Sequence, residues 1–142
     1  MEISALYDFA VQQNIEVIPF PMEETGSMSI MMEDGSCVVG IDDSVRDGHV
    51  QERVHLGHEL GHCATGSFYN IYAAIDCRQR HENKANKWAI QKLIPVDDLD
   101  DAVAEGCHEI WELADRFGVT EDFIRKTLCY YVHGNLATEL YF

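Results

Sequence analysis

The sequence predicts an α+β fold: a small antiparallel sheet or hairpin near the N-terminus, packed on a helix that carries His58-Glu59-Leu60-Gly61-His62, and then an α-helical C-terminal half. Three observations predict it. Short apolar runs punctuated by Pro and Gly fill the first 41 residues, and apolar residues at helical spacing dominate after residue 50. The third is size: 142 residues, 46% hydrophobic and 25% charged, suit one domain with a single core. The expectation is one domain over residues 1–142, with its C-terminal helical portion at about 96–133.

Ser4 to Gln13 places Leu6, Phe9 and Ala10 on one face of a short amphipathic helix, with Ser4 as its expected cap and Asn14 as its end. Ile15-Glu16-Val17-Ile18 then alternates as a strand until Pro19 and Pro21 stop it. Ser27 to Met32 and Ser36 to Ile41 are two further apolar runs. Glu33-Asp34-Gly35 joins them, and a Gly closing so short a loop is a hairpin signal. An edge of this sheet beside the functional site would let an extended peptide add as another strand.

Asp42 to Gly48 is polar and turn-like, and Val50 to Cys63 reads as a helix with Val54, Leu56 and Leu60 on its apolar side. Gly61 inside that helix costs up to about 1 kcal/mol relative to Ala, a penalty that a close helix approach would explain. Gly66 to Gln79 reads as a connecting segment. A second helix, His81 to Leu93, carries Glu82, Ala85, Asn86, Ala89 and Leu93 along one stripe and ends at Pro95. Val96 to Leu99, Ile110 to Phe117 and Thr120 to Tyr131 supply the remaining helices, with Trp111, Leu113, Phe117, Ile124 and Leu128 as expected core.

Charge narrows the partners. With 25 acidic against 10 basic residues the net charge is −15, which repels nucleic acid and anionic membrane surfaces and favours a basic protein partner, while also serving solubility. Glu112 to Thr120 looks like the first helix and turn of a helix-turn-helix, yet Asp97 to Cys129 holds ten acidic residues against Arg116, Arg125 and Lys126. That balance disfavours direct DNA contact. The N-terminus lacks a basic start and a signal-length apolar run, and no stretch approaches the roughly 20 apolar residues of a membrane span. The five cysteines, odd in number and without a CxxC pair, read as reduced thiols, consistent with a cytoplasmic protein.

The chemistry centres on His58 and His62. Four residues apart on a helix they share a face, so their imidazoles can converge on one metal ion. Glu59 is turned by about 100°, outside the coordination shell but within reach of a water activated there, the position of a general base for peptide hydrolysis. The small Ala85 and Ala89 would let the second helix lie close and bring Glu82 to the same metal, leaving a fourth position open. Glu82 could instead be a solvent-facing carboxylate at a helix start, and His81 competes as a ligand but points about 100° away. Asn86, one turn beyond Glu82, could orient a ligand through its outer nitrogen or oxygen.

HELGHCATGSFYN followed by HENKANKWAIQKLIP resembles the ImmA/IrrE family of metallopeptidases, with its HExGH helix and later Glu-x-x-Ala-Asn helix ending in Leu-x-Pro. The resemblance covers most of the chain and is most specific from Val54 to Pro95. It implies His58, His62 and Glu82 as ligands of one zinc ion, Glu59 as catalytic base, and Asn86 in a gluzincin-like supporting position. It also implies a zinc endopeptidase acting on a specific protein, a helix-turn-helix repressor of mobile elements or stress regulons, and thus an antirepressor. The alternative is a non-catalytic module in which the metal is structural and the acidic surface binds a basic regulator. Candidates for stabilising the oxyanion of the transition state are Tyr69, Tyr72, Arg78, Arg80 and His81, or Tyr130, Tyr131 and His133 from the C-terminus. His49, His55 and His108 are expected to be structural.

Overall fold

A computed structural model of the chain describes residues 1–69 and 73–133. The first helix, α1 (Ile3–Gln12), turns Leu6 and Ala10 into the core. Ser4 lies inside it and Glu2 precedes it, so no side chain caps the helix, contrary to the expectation for Ser4. Asn14 closes it with a positive φ of 56°, a conformation that Asn tolerates better than most residues.

Strands β1 (Glu16–Pro19), β2 (Ser27–Met31) and β3 (Cys37–Ile41) form one sheet in the order β1-β3-β2. The hairpin is the expected one. Gly35 takes φ 88° in its turn, and Asp34 accepts hydrogen bonds from the Ser36 amide and hydroxyl at 2.9 and 2.6 Å. β2 and β3 pair antiparallel, from Ser27 opposite Ile41 to Met31 opposite Cys37. β1 pairs parallel to β3, so the sheet is mixed. β1 takes the side of β3 that β2 leaves open and runs in the direction of β3. β2 is therefore an edge strand.

After a short 3-10 turn at Asp43–Val45, α2 (Val50–Thr65) carries Leu56, Gly57, Leu60 and Gly61 on its buried side. α3 (Ile75–Leu93) begins six residues before the expected His81. Its first turns, Asp76 to Arg80, are polar and show no apolar stripe from which a helix could be read. The two helices pack with almost no separation at Gly61, where a Cβ would collide with the backbone carbonyl oxygen of Ala85. Gly57, one turn earlier, faces the side chains of Leu93 and Ala89, at 3.0 and 3.8 Å from the place a Cβ would take. The glycine that weakens α2 as a helix is thus what lets α3 approach.

α4 (Val96–Ala104), α5 (Ile110–Phe117) and α6 (Glu121–His133) complete the chain. Arg53 of α2 donates to the carbonyls of Phe117 and Gly118 at 3.0 and 2.9 Å, placing a cation on the C-terminal end of α5, where the helix dipole favours it. Leu6, Val39, Leu56, Leu60, Ile90 and Ile124 are fully buried in one cluster that joins sheet and helices. Trp111 departs from expectation: it is 58% exposed, while Leu113 and Ile124 are buried and Phe117 and Leu128 pack partly against the core.

Cys37 and Cys63 form a disulfide between β3 and α2, with Cα atoms 6.0 Å apart. This corrects the reading of all five cysteines as free thiols. Two residues 26 positions apart can be paired only once the sheet is laid on α2. No described helix is long and apolar enough to cross a membrane.

Candidate metal centre

The close approach of α2 and α3 brings His58, His62 and Glu82 together, with one ligand atom from each lying within 4.8 Å of the others. His58 Nε2 is 2.8 Å from Glu82 Oε2, and His62 Nε2 is 3.1 Å from Glu82 Oε1. The two Nε2 atoms face each other at 3.2 Å.

The far side of each ring fixes its tautomer. His58 Nδ1 lies 2.8 Å from the Asn86 amide oxygen, and His62 Nδ1 lies 2.5 Å from the Ser67 carbonyl oxygen. Both partners accept hydrogen bonds, so both rings donate from Nδ1, and each neutral ring turns its Nε2 lone pair inward. Two nitrogen lone pairs and a carboxylate, all acceptors, then point at one small space, where a single cation would satisfy them together. The donor set fits a metal ion on these grounds. The Ser67 carbonyl reaches His62 because Gly66 ends α2 in the left-handed conformation, φ 64°, and turns the chain back. Asn86 is buried at 6% exposure on the α3 stripe, as the sequence places it.

Electrostatics follow from the crowding. Burial alone would raise the Glu82 pKa, but hydrogen bonds and charge from His58 and His62 outweigh it and hold the carboxyl well below the usual carboxylate range. Burial lowers the His62 pKa, yet the Glu82 carboxylate and the Ser67 carbonyl overcome it and hold the ring above its ordinary value. A proton and a metal ion thus compete for the same His62 Nε2 lone pair.

The cluster opens on a cavity of about 680 Å³, bounded by β2, α2, α3 and α6. Glu59 lines it at 6% exposure, outside the cluster of His58, His62 and Glu82. Tyr69 lines it too; its hydroxyl donates to Glu82 Oε1 at 2.9 Å, and burial together with that bond pushes its pKa up to about 12. His81 stacks on Tyr69 with ring centroids 6.1 Å apart and is absent from the cavity wall, as are Arg78 and Arg80. Tyr72 lies outside the described residues. Tyr130 and Tyr131 are used elsewhere: the Tyr131 hydroxyl donates to the Ile94 carbonyl at 2.7 Å, and Tyr130 accepts from Gln91 at 2.8 Å.

Several wall residues were not legible beforehand. Ser27 and Met28 come from β2, Phe123 and Lys126 from α6, and His55, expected to be structural, lies one turn before Glu59. Only the tertiary arrangement of β2 and α6 around α2 brings them in, and no local pattern marks them.

No curated protein matches the chain. The Peptidase_M78 family, described as the IrrE N-terminal-like domain, matches residues 11–128, a span that includes α2, α3 and all three clustered side chains. With that match over most of its length and a His-His-Glu cluster at its centre, the chain belongs to the IrrE N-terminal-like family of peptidases.

Proposed function

We propose that the protein is a zinc-dependent endopeptidase that cuts one specific protein, with a basic helix-turn-helix repressor as the class of substrate, and so works as an antirepressor. The observation that carries this reading is the pair of inward Nε2 lone pairs converging with Glu82 on the wall of a cavity that also holds Glu59. Two imidazoles and a carboxylate suit zinc, and three protein ligands among the described residues leave a position for chemistry; a structural zinc takes four. That favours an enzyme over a binding module whose metal only stabilises the fold.

Bound there, the ion would act as a Lewis acid that lowers the pKa of a water and polarises a carbonyl. The chain's own groups do the rest. Glu59 accepts a proton from the attacking water and returns it to the leaving amine. Asn86 and Ser67 hold the two imidazoles in the tautomer that ligates. Tyr69 keeps its proton at neutral pH and, from Glu82, can swing to donate to the developing oxyanion, which makes it the candidate of choice among those named from the sequence.

The edge strand supports a polypeptide substrate. Ser27, Met28 and Ser29 of β2 line the cavity, and the outer side of β2 has no partner strand among the described residues. A substrate added there as a further strand would pass its backbone along the cluster. Exposed Met28, Ile30 and Met31 offer that strand apolar contacts. The −15 charge suits a basic partner, and a transcriptional repressor is met in the cytoplasm.

The test is incubation of the zinc-loaded protein with a basic helix-turn-helix repressor, followed by mass spectrometry for fragments. Wild type should yield a defined pair of fragments, and Glu59→Gln should yield none while binding zinc as wild type does. Cleavage by Glu59→Gln at the wild-type rate would remove Glu59 from the role of base, and tight binding without fragments would favour the non-catalytic module.

A further inference from the structure

Ser27, the first residue of β2, is buried at 7% exposure between two side chains of α2. Its Oγ lies 2.8 Å from Glu59 Oε2 and 2.7 Å from His55 Nδ1. His55 and Glu59 are one turn apart on α2, so both face the start of β2. The residue before Ser27 makes room for the ring: Gly26 has φ 79°, and a Cβ there would stand 2.9 Å from His55 Cε1.

The protons in this chain can be assigned. An ionised carboxylate only accepts, and a serine hydroxyl has one proton to give. Ser27 gives that proton to Glu59 Oε2, 2.8 Å away. Its oxygen is then left to accept, and His55 must donate from Nδ1. Burial pushes the His55 pKa down, so at neutral pH the ring carries a single proton, and the hydrogen bond locates it on Nδ1. Glu59 Oε1 makes no hydrogen bond among the described residues and is left for water.

We infer that Ser27 and His55 are positioning residues for Glu59, a chain running from His55 Nδ1–H through the Ser27 hydroxyl to Glu59 Oε2 that holds one carboxylate oxygen and presents the other to the cavity. The value of this arrangement rests on the peptidase reading above, but the hydrogen-bonded chain does not. A buried carboxylate on a helix has several rotamers to choose from, and misplacing a reacting group by about 1 Å costs up to about a hundredfold in rate.

The His55 tautomer, read by side-chain nitrogen-15 NMR of the zinc-loaded protein at neutral pH, tests the chain directly. Wild type and Ser27→Thr should carry the proton on Nδ1. In Glu59→Ala the Ser27 hydroxyl loses its acceptor, turns to His55 Nδ1, and drives the ring proton to Nε2. In Ser27→Ala the ring loses its acceptor and relaxes to the Nε2–H form that unconstrained imidazoles favour. A wild-type ring protonated on Nε2, or a tautomer indifferent to Glu59, overturns the inference. In the repressor assay Ser27→Ala should lower kcat by up to about a hundredfold with KM and zinc content kept, and Ser27→Thr should restore it; a change in KM alone would overturn the positioning role. If wild type leaves the repressor intact, the peptidase reading falls and the tautomer pattern still decides the chain.

Discussion

Replacing Asn86 by Ala tests how much of the proposed metal site resides beyond His58, His62 and Glu82. The Asn86 amide oxygen lies 2.8 Å from His58 Nδ1 and is buried, so nothing of the solvent replaces it cheaply when it is removed. Two costs follow in Asn86→Ala. The His58 N–H is left without its acceptor, worth about 1–3 kcal/mol if the ring stays put. If the ring turns to find another acceptor, Nε2 no longer points at Glu82 and the tautomer is no longer fixed. Removing such a partner of a metal-bound imidazole costs about 10–100-fold in metal affinity, or roughly 1.4–2.7 kcal/mol. Both estimates fall in one range, and the expected outcome is a zinc Kd raised by at least tenfold. Asn86→Asp is the control, because a carboxylate oxygen at the same place accepts from Nδ1 equally well and should hold the Kd within about threefold of wild type or tighten it. Competition against a chromophoric chelator at neutral pH measures all three proteins. An Asn86→Ala Kd equal to that of wild type would refute the claim that this hydrogen bond sets the inward lone pair.

Gly61→Ala should destabilise the fold despite a gain in helix propensity of about 1 kcal/mol, because the added Cβ strikes a backbone carbonyl of α3 that cannot rotate away; overpacking of this kind costs about 1–3 kcal/mol, and a urea midpoint at or above that of wild type would contradict it. Zinc affinity should fall with acidification from above the ordinary histidine range. His62 must be neutral to ligate and its raised pKa makes it hold a proton at higher pH, whereas Glu82, with its lowered pKa, stays ionised throughout. The expected loss approaches about tenfold per pH unit once His62 is protonated, and a Kd constant between about pH 8 and pH 5 would refute it.

Residues with short-range physical signatures were legible in the sequence. Gly35 marks the hairpin turn, Gly61 signals a close helix pair, and the four-residue spacing of His58 and His62 puts both imidazoles on one face. The stripe from Glu82 to Leu93 was readable because Ala85 and Ala89 are small where α2 must pass. What escaped notice depends on tertiary register. β1 joins the sheet parallel to β3, a pairing direction that alternation within four residues does not encode. The Cys37–Cys63 bridge and the Ser27–Glu59 hydrogen bond each link the sheet to α2 across residues far apart in the chain. The early turns of α3 carry no such signature, because Asp76 to Arg80 lack an apolar stripe, and Trp111, an apolar residue expected in the core, lies 58% exposed.

Metal content per chain, by elemental analysis of wild type, His58→Ala and Glu82→Ala purified without added metal and again after reconstitution with zinc, tests the central claim most directly. The account predicts one zinc per wild-type chain, with loss or marked weakening in both variants while their folds persist. Wild type that stays free of metal even after reconstitution, or a Glu82→Ala protein that binds zinc as tightly as wild type, would contradict it.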